Sequence, residues 1–258
     1  LRGVMPHYLK YHSYGEYIFD HSWANAYERS GQAYYPKSLS AVPFTPVPGP
    51  RLLTQEGDIH AKRALFASMQ AFVENNNLSS AHINFIDAND LTAARDNNWM
   101  VREGLQFHWY NQDYNNFDQF LEYLTSRKRK NIRKERESIQ KSGIKFEHLT
   151  GDTIKPIHWD VFYKCYLATI EKKWGGAYLT RMFFESLSGN VADKILLILA
   201  YDGGTPIAGA LNFIGSDALY GRNWGGLRNL PFLHFETCYY QAIDFAIEMG
   251  LKRVEAGA

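Results

Sequence analysis

The decapeptide Arg127-Lys128-Arg129-Lys130-Asn131-Ile132-Arg133-Lys134-Glu135-Arg136 puts seven basic residues and one acidic residue into ten positions. The whole chain carries 28 Lys+Arg against 27 Asp+Glu, so the rest holds 21 basic against 26 acidic residues. A near-neutral total thus hides one cationic segment in a mildly acidic protein. Guanidinium and ammonium groups at this density suit phosphate or another anion. The plain alternative is a solvated helix edge paired with nearby acids. Arg127, Arg129, Lys130, Arg133, Lys134 and Arg136 are the candidates for ligand contact. Phosphate contacts would make binding fall steeply with salt. Arg51 follows three prolines (Pro46, Pro48, Pro50), and a cation held so rigidly would clamp an anion or brace its own loop. Arg222 and Asn223 interrupt an otherwise apolar strand, where polar side chains need partners. His12, Glu16 and Asp20 have metal-ligating types at i, i+4 spacing, but the stretch reads as strand and turn, so no metal is expected. CxxC, HExxH and GxxxxGK[ST] do not occur. Cys165 and Cys238 lie far apart in apolar, helix-patterned runs, as buried free thiols of a reducing, cytoplasmic compartment would.

At 258 residues and 45% hydrophobic content, the chain can bury one large core or two smaller ones. No apolar run approaches the roughly 18–20 residues of a membrane helix, so no transmembrane segment is expected. Met5–Phe19 reads as two strands about a turn at Ser13–Glu16, and Asp20–Gly31 as a short helix. Leu39–Phe44 and Ala81–Ile86 read as strands, Asp58–Asn76 and Asp87–Asn97 as helices, and Trp99–Tyr110 as a strand ending the first unit. A second unit is expected from residue 115. Phe117, Phe120, Leu121, Leu124, Ile132 and Ile139 keep helical spacing, with a possible fresh N-cap at Thr125-Ser126. On that wheel Arg129, Arg133 and Arg136 flank the apolar stripe on one side, and Arg127, Lys130, Lys134 and Lys141 on the other. A strand (Ile144–Leu149), two helices (Pro156–Trp174, Thr180–Leu187), three antiparallel strands (Lys194–Tyr201, Pro206–Gly215, Ala218–Gly225), a helix (Phe235–Met249) and a strand start (Arg253–Ala256) follow. This order is α/β of the α+β kind, with a mixed, mainly antiparallel sheet.

Two stretches look alike: Pro6…Gly15…Trp23 followed by Pro43-Phe44, and Pro206…Gly215…Trp224 followed by Pro231-Phe232. Each Pro-Phe loop leads to an amphipathic helix and then a strand. The chain is moreover similar to the FemAB-like family, described as peptidoglycan biosynthesis or recognition proteins, within the GNAT N-acyltransferase superfamily. The residues that carry the resemblance are His12–Asp20 (HSYGEYIFD), Ala41–Leu53 (AVPFTPVPGPRLL), Ser126–Arg136, Lys172–Thr180 (KKWGGAYLT), Ile207–Asn212 (IAGALN) and Pro231–Ala258. It covers essentially the whole chain. It implies two GNAT-like units, residues 1–114 and 115–258. By that measure the chain begins inside the first unit and stops before a last helix and strand of the second.

The resemblance implies transfer of an acyl or aminoacyl group to an amine. Fem ligases take the group from aminoacyl-tRNA and place it on a peptidoglycan precursor; their basic helix resembles Arg127–Arg136. No tightly bound cofactor is implied, and the donor would be aminoacyl-tRNA or acyl-CoA. The implied partners are an anionic small molecule or precursor and, with that donor, tRNA. One departure matters. Acetyl-CoA-dependent GNAT proteins carry a Q/R-x-x-G-x-G/A loop here, whereas this chain reads Gly226-Leu227-Arg228-Asn229-Leu230-Pro231-Phe232-Leu233-His234, and Pro231 removes a donor. His234 and Glu236 would stand beside the acyl carbonyl, His234 as base, or merely cap the helix. Tyr240 would be a proton donor or core. Glu255 would be a base, a substrate-binding carboxylate or half of an ion pair. Trp174, after Lys172-Lys173, would face a ligand or simply follow a helix end. Two further readings stay open: a non-catalytic protein that recognises an anionic glycan precursor or nucleic acid, and a conventional acetyl-CoA N-acetyltransferase.

Overall fold

A computed structural model of the protein describes residues 1–173 and 176–257, without the side chains of Lys173 and Asn190. The chain divides into two compact units, residues 1–106 and 107–257.

In the first unit, strands β1 (Gly3–Val4) and β2 (Tyr8–Lys10) precede helix α1 (His21–Arg29), followed by strands β3 (Lys37–Ser40) and β4 (Leu53–Thr54). Helix α2 (Ile59–Asn75), strand β5 (Ala81–Ile83) and helix α3 (Ala88–Asp96) complete it. The sheet order is β2-β3-β5, with β2 antiparallel and β5 parallel to β3; β1 pairs separately with β4. Asp58 caps α2 by accepting from Ala61 N, and Asp87 caps α3 by accepting from Asp90 N. Phe66 on α2 and Ala94 on α3 close over Leu52 as the core.

The second unit opens with strand β6 (His108–Tyr110), helices α4 (Phe117–Glu122) and α5 (Ser126–Lys141) and strand β7 (Lys145–Thr150). Helices α6 (Pro156–Lys173) and α7 (Arg181–Asn190) lead into the meander β8 (Ile195–Asp202), β9 (Thr205–Ile214) and β10 (Ala218–Gly226). Then come α8 (Leu233–Phe235), a π-helical stretch (Glu236–Tyr240), α9 (Gln241–Glu248) and β11 (Arg253–Glu255). The six-stranded sheet runs β6-β11-β10-β9-β8-β7, antiparallel except for β10 and β11. β8 is buried from Ile195 to Ala200 because both sheet faces are covered. Trp159, Phe162, Tyr166 and Phe184 of α6 and α7 cover one face; Phe117, Leu121, Ile243 and Ala246 of α4 and α9 cover the other. The β8–β9 turn uses Gly203 (φ 55) and Gly204 (φ 82), the left-handed pair a two-residue hairpin favours. A Cβ at Gly225 would lie 1.8 Å from Cys165 O, so the lost side chain lets α6 lie directly on β10. No helix among the described residues is long and apolar enough to cross a membrane.

Three expectations change. The stretch from Tyr17 to Phe19 forms no strand, because Tyr17 (φ 58) and Phe19 (φ 50) are left-handed. Of Trp99–Tyr110 only β6 is a strand, since Arg102, Glu103 and Gly104 interrupt the alternation and leave Met100 and Leu105 exposed. β6 pairs with β11, which places the division after Gln106 rather than after residue 114. The likeness between the halves also shifts. Gly15 and Trp23 do not match Gly215 and Trp224, for Trp23 is on α1 and Trp224 on β10. The Pro-Phe loops do correspond: Phe44 (φ 53) and Phe232 (φ 66) are both left-handed. In addition, β2-β3-β5 repeats the antiparallel-then-parallel order of β9-β10-β11.

Candidate functional site

α5 starts after Thr125, whose side chain makes no capping hydrogen bond, and docks through Ile132 and the buried Ile139. Its cations fall into two groups. Arg136 is turned inward: Nη2 lies 2.5 Å from Asp244 Oδ2 and 3.1 Å from Glu236 Oε1, and the guanidinium stacks 4.2 Å from the Phe117 ring centroid. Burial opposes its charge, but Asp244 and Glu236 hold its pKa above the ordinary arginine value. Arg133 reaches Asp118 at 3.5 Å on the surface. In contrast, Arg127, Lys128, Arg129, Lys130 and Lys134 have no acidic partner among the described residues. Arg127, Lys130 and Lys134 are exposed along the outer side of the helix.

The π-helical stretch gathers further candidates. Such an irregular turn re-aims side chains and recurs at functional sites. Tyr240 donates to Glu135 Oε2 at 2.5 Å, and burial together with that carboxylate pushes its phenol pKa up. Gln241 donates to Glu236 Oε1 at 2.7 Å, and His148 Nε2 lies 2.8 Å from Gln241 Oε1. Glu236 Oε2 is buried without a hydrogen-bond partner among the described residues. His234 lies at the start of the same turn. Its exposed ring packs against Trp224 (5.0 Å), Phe235 (5.7 Å) and Tyr239 (5.7 Å).

Trp224 belongs to the part of β10 where the sheet opens. β11 pairs with β10 only at Ala218, Leu219 and Tyr220. Beyond that the Ala256 backbone still lies against Gly221, and from Asn223 onward, among the described residues, β10 has a ladder partner only in β9, so its other edge opens there. A β-bulge lies at Arg222, between the pairs Gly221–Asn212 and Asn223–Leu211. Asn223 Nδ2 reaches Tyr178 Oη at 3.5 Å. In the loop before α8 Leu227 N donates to Ile207 O, and at the helix start Leu233 N donates to Leu230 O.

Two predicted site residues are structural instead. Glu255 accepts from Arg253 Nε at 2.8 Å, and Arg253 also bridges to Asp217 at 2.5 Å, so Glu255 closes an ion-pair network behind β11. Arg51 is buried and donates to Asn84 O (3.0 Å), Val47 O (2.8 Å) and Pro50 O (3.3 Å). Three prolines hold the loop, but Arg51 braces it rather than clamping an anion. Burial lowers its pKa. Trp174 lies outside the described residues.

Glu16 and Asp20 do come together, but around a lysine. Lys37 is fully buried and donates to Asp20 Oδ2 (2.6 Å), Glu16 Oε2 (2.8 Å) and Ser13 Oγ (2.8 Å). His12 is not part of the cluster; its Nδ1 accepts from Tyr14 N at 3.2 Å. Burial pushes the Asp20 carboxyl up, but hydrogen bonds from Lys37, Ser13 and Tyr34 outweigh it and hold the pKa at about 2. For Glu16 burial wins, and its pKa is raised. Lys37 carries no local signal, because its carboxylate partners are 17 and 21 residues away along an irregular path. Nearby, His82 accepts or donates at Ser80 Oγ (2.8 Å); burial, then the Lys37 charge, depress its pKa from 6.5 to about 4. A depressed histidine favours the neutral folded form. Its contribution is therefore complete above 6.5 and is lost as pH falls toward about 4. Melting followed between pH 7 and 4 should show this loss, at most about 1.4 kcal/mol per pH unit. His82→Asn should flatten that part of the curve; an unchanged slope would assign the loss elsewhere.

These features define a mixed α/β protein whose sheets are flanked by helices, with a basic helix and an opened parallel strand pair in its second unit. The same fold occurs in solved structures of low sequence identity. FemX matches with a TM-score of 0.52 at 13% identity, over 86% of this chain and 74% of that one. L-PGS from Bacillus licheniformis matches with 0.59 at 8% identity, over 86% and 62%. The DUF2156 domain of a protein from Agrobacterium fabrum matches with 0.60 at 10% identity, over 86% and 63%. The chain thus spans under two thirds of the latter two. Among functionally described proteins, none matches the sequence. The family model for FemAB-like proteins, described as peptidoglycan biosynthesis/recognition, matches residues 1–258. The chain belongs to the FemAB-like family.

Proposed function

We propose that the protein transfers an acyl or aminoacyl group to an amine, in cell-wall metabolism, with the second unit as the reacting one. The observation that carries this reading is the set of five α5 cations with no acidic partner among the described residues. Were they a mere solvated edge, acids would be expected to face them, as Asp118 faces Arg133. They would hold the anionic part of the donor, and aminoacyl-tRNA fits them better than acyl-CoA. The loop before α8 lacks glycines, contains Pro231 and has already used the Leu227 N–H, while the Leu233 N–H at the helix start is also taken. A tRNA donor would place the reaction in the cytoplasm.

The acyl carbonyl would lie along the open edge of β10, between Asn223 with Tyr178 and Trp224 with His234. The amine nitrogen attacks the carbonyl carbon, and His234 takes the proton that the nitrogen loses. As the tetrahedral intermediate collapses, the bond from carbon to the leaving oxygen breaks. The proton then passes from His234 to that oxygen. Backbone N–H groups on the open strand edge, with Arg222 at the bulge, are the candidates to hold the oxyanion.

A non-catalytic protein that binds the same anion is the second reading, favoured only by the same cations. Thermal shift with charged tRNA and, separately, acetyl-CoA distinguishes the donors. Stabilisation is expected with charged tRNA; stabilisation by acetyl-CoA alone would overturn the aminoacyl reading. His234→Ala should leave tRNA binding intact and cut transfer by about a hundredfold or more. Transfer unchanged in that variant would remove His234 as the base.

A further inference from the structure

Beneath α5 lies a charge cluster that the transfer chemistry above leaves unused. Glu236 and Asp244 flank the guanidinium of Arg136, and Glu135, the next residue on α5, accepts from Tyr240. The neighbouring elements add one imidazole, His148 of β7, held through Gln241, and the Asp118–Arg133 pair on the surface of α4 and α5. Two carboxylates therefore face one fixed positive charge, and a third, Glu135, joins the cluster through the Tyr240 hydroxyl. Two aromatic rings line the cluster: Phe117 under Arg136, and Tyr240, which meets Phe117 edge-on at 5.8 Å.

A second observation concerns one oxygen. Glu236 is only 3% exposed, and its Oε1 takes both Arg136 and Gln241, but Oε2 has no partner among the described residues. An enclosed carboxylate oxygen without a donor is unfavourable, and the excess of acid around it makes a cationic donor the matching one. The site already accepts a cation, since the Arg136 guanidinium stacks on Phe117 between two carboxylates. It also reaches solvent, for the side chains of Arg136 and Asp244 are 25% and 34% exposed.

We infer that this cluster binds a primary ammonium group, which donates to Glu236 Oε2 beside Arg136, with Glu135 and Asp244 supplying the complementary charge. Gln241, braced by His148, fixes the Glu236 carboxylate and so acts as a positioning residue. The inference rests on the transfer reading only for identifying that ammonium with the charged form of the amine acceptor.

The test is calorimetric titration of the 258-residue chain at pH 7 with n-butylammonium chloride, with n-butanol and sodium chloride as controls at matched ionic strength. Saturable heat is expected for n-butylammonium only. Glu236→Gln should weaken it at least tenfold. Glu135→Gln, which leaves both Arg136 ion pairs in place, should weaken it several-fold, and this arm decides the matter if the Glu236 variant melts early. Heat no larger than the sodium control, or an unchanged affinity in Glu135→Gln, would overturn the site. Charged-tRNA binding measured on the same samples separates the two readings. No ammonium binding by the wild-type chain, with intact tRNA binding, sinks this site alone. The opposite pattern sinks the donor assignment and leaves the site standing.

Discussion

Lys37→Met is expected to destabilise the first unit by about 3–5 kcal/mol, the cost of leaving buried charge without its partner. Lys37 has no exposed surface and three donors in use, two of them on carboxylates. Methionine fills the volume but leaves Glu16 and Asp20 facing each other. Domain stabilities run roughly 5–15 kcal/mol, so this loss is a large fraction of the whole. For a unit of this size it corresponds to a fall in melting temperature of about 15 °C or more. Hydrogen exchange should localise the loss to peptides from residues 1–106. Glu16→Gln and Asp20→Asn, added to Lys37→Met, should recover much of it, since the buried charge is then gone.

The pH dependence distinguishes this from a packing defect. In the intact protein Asp20 is depressed to about 2, so its contribution is present above its ordinary value of 3.8 and is lost as pH falls toward about 2. Glu16 is raised, so its contribution is fully present below 4.5 and is lost as pH rises through its higher folded value. The two partly offset. In Lys37→Met both carboxylates lose the cation and resist ionising, so the variant should gain stability on mild acidification. A variant whose stability falls with the wild type's slope would mean that packing, not charge, governs the site.

The second large effect concerns α5. Reversing Arg127, Lys130 and Lys134 to Glu should abolish binding of charged tRNA, by roughly a thousandfold at about 1.5 kcal/mol or more per charged contact. The slope of log affinity against log salt should flatten as well. The melting temperature should stay close to wild type, because these side chains are exposed and have no acidic partner among the described residues. Arg136→Glu should do the reverse. It removes the cation from Glu236 and Asp244 and stacks a carboxylate on Phe117, so the second unit should lose about 3 kcal/mol or more. Binding that survives the triple reversal would return α5 to a solvated edge. On the wheel Arg136 is equivalent to Arg129 and Arg133, so only tertiary contacts separate it from them.

Much of the fold was legible where local rules are strong. The α5 pattern, the caps of α2 and α3, the β8–β9–β10 meander and the Gly-Gly turn follow from periodicity and side-chain chemistry within a few residues. The FemAB-like resemblance was carried by several motifs at once, and the family match over residues 1–258 agrees with it. Less legible were segments whose structure depends on a distant partner. Trp99–Phe107 has strand-like composition but no neighbouring ladder among the described residues, and β6 joins β11 through pairs that run from Tyr110 with Arg253 to His108 with Glu255, far apart in the chain. The π-helical stretch at Glu236–Tyr240 had no local signature at all.

The basic decapeptide shows the same division within one helix. Sequence by itself determined that seven cations share ten positions, that Ile132 and Ile139 dock them, and that an anion is the natural partner of such a surface. Only the tertiary structure decided which charges are available. Arg136 is taken by Glu236 and Asp244, carboxylates 100 and 108 positions further on, while Arg127, Lys130 and Lys134 face outward. The physical reason is range. Helical periodicity is set by hydrogen bonds four residues apart, whereas a charge is neutralised by whatever the folded chain brings within a few ångströms.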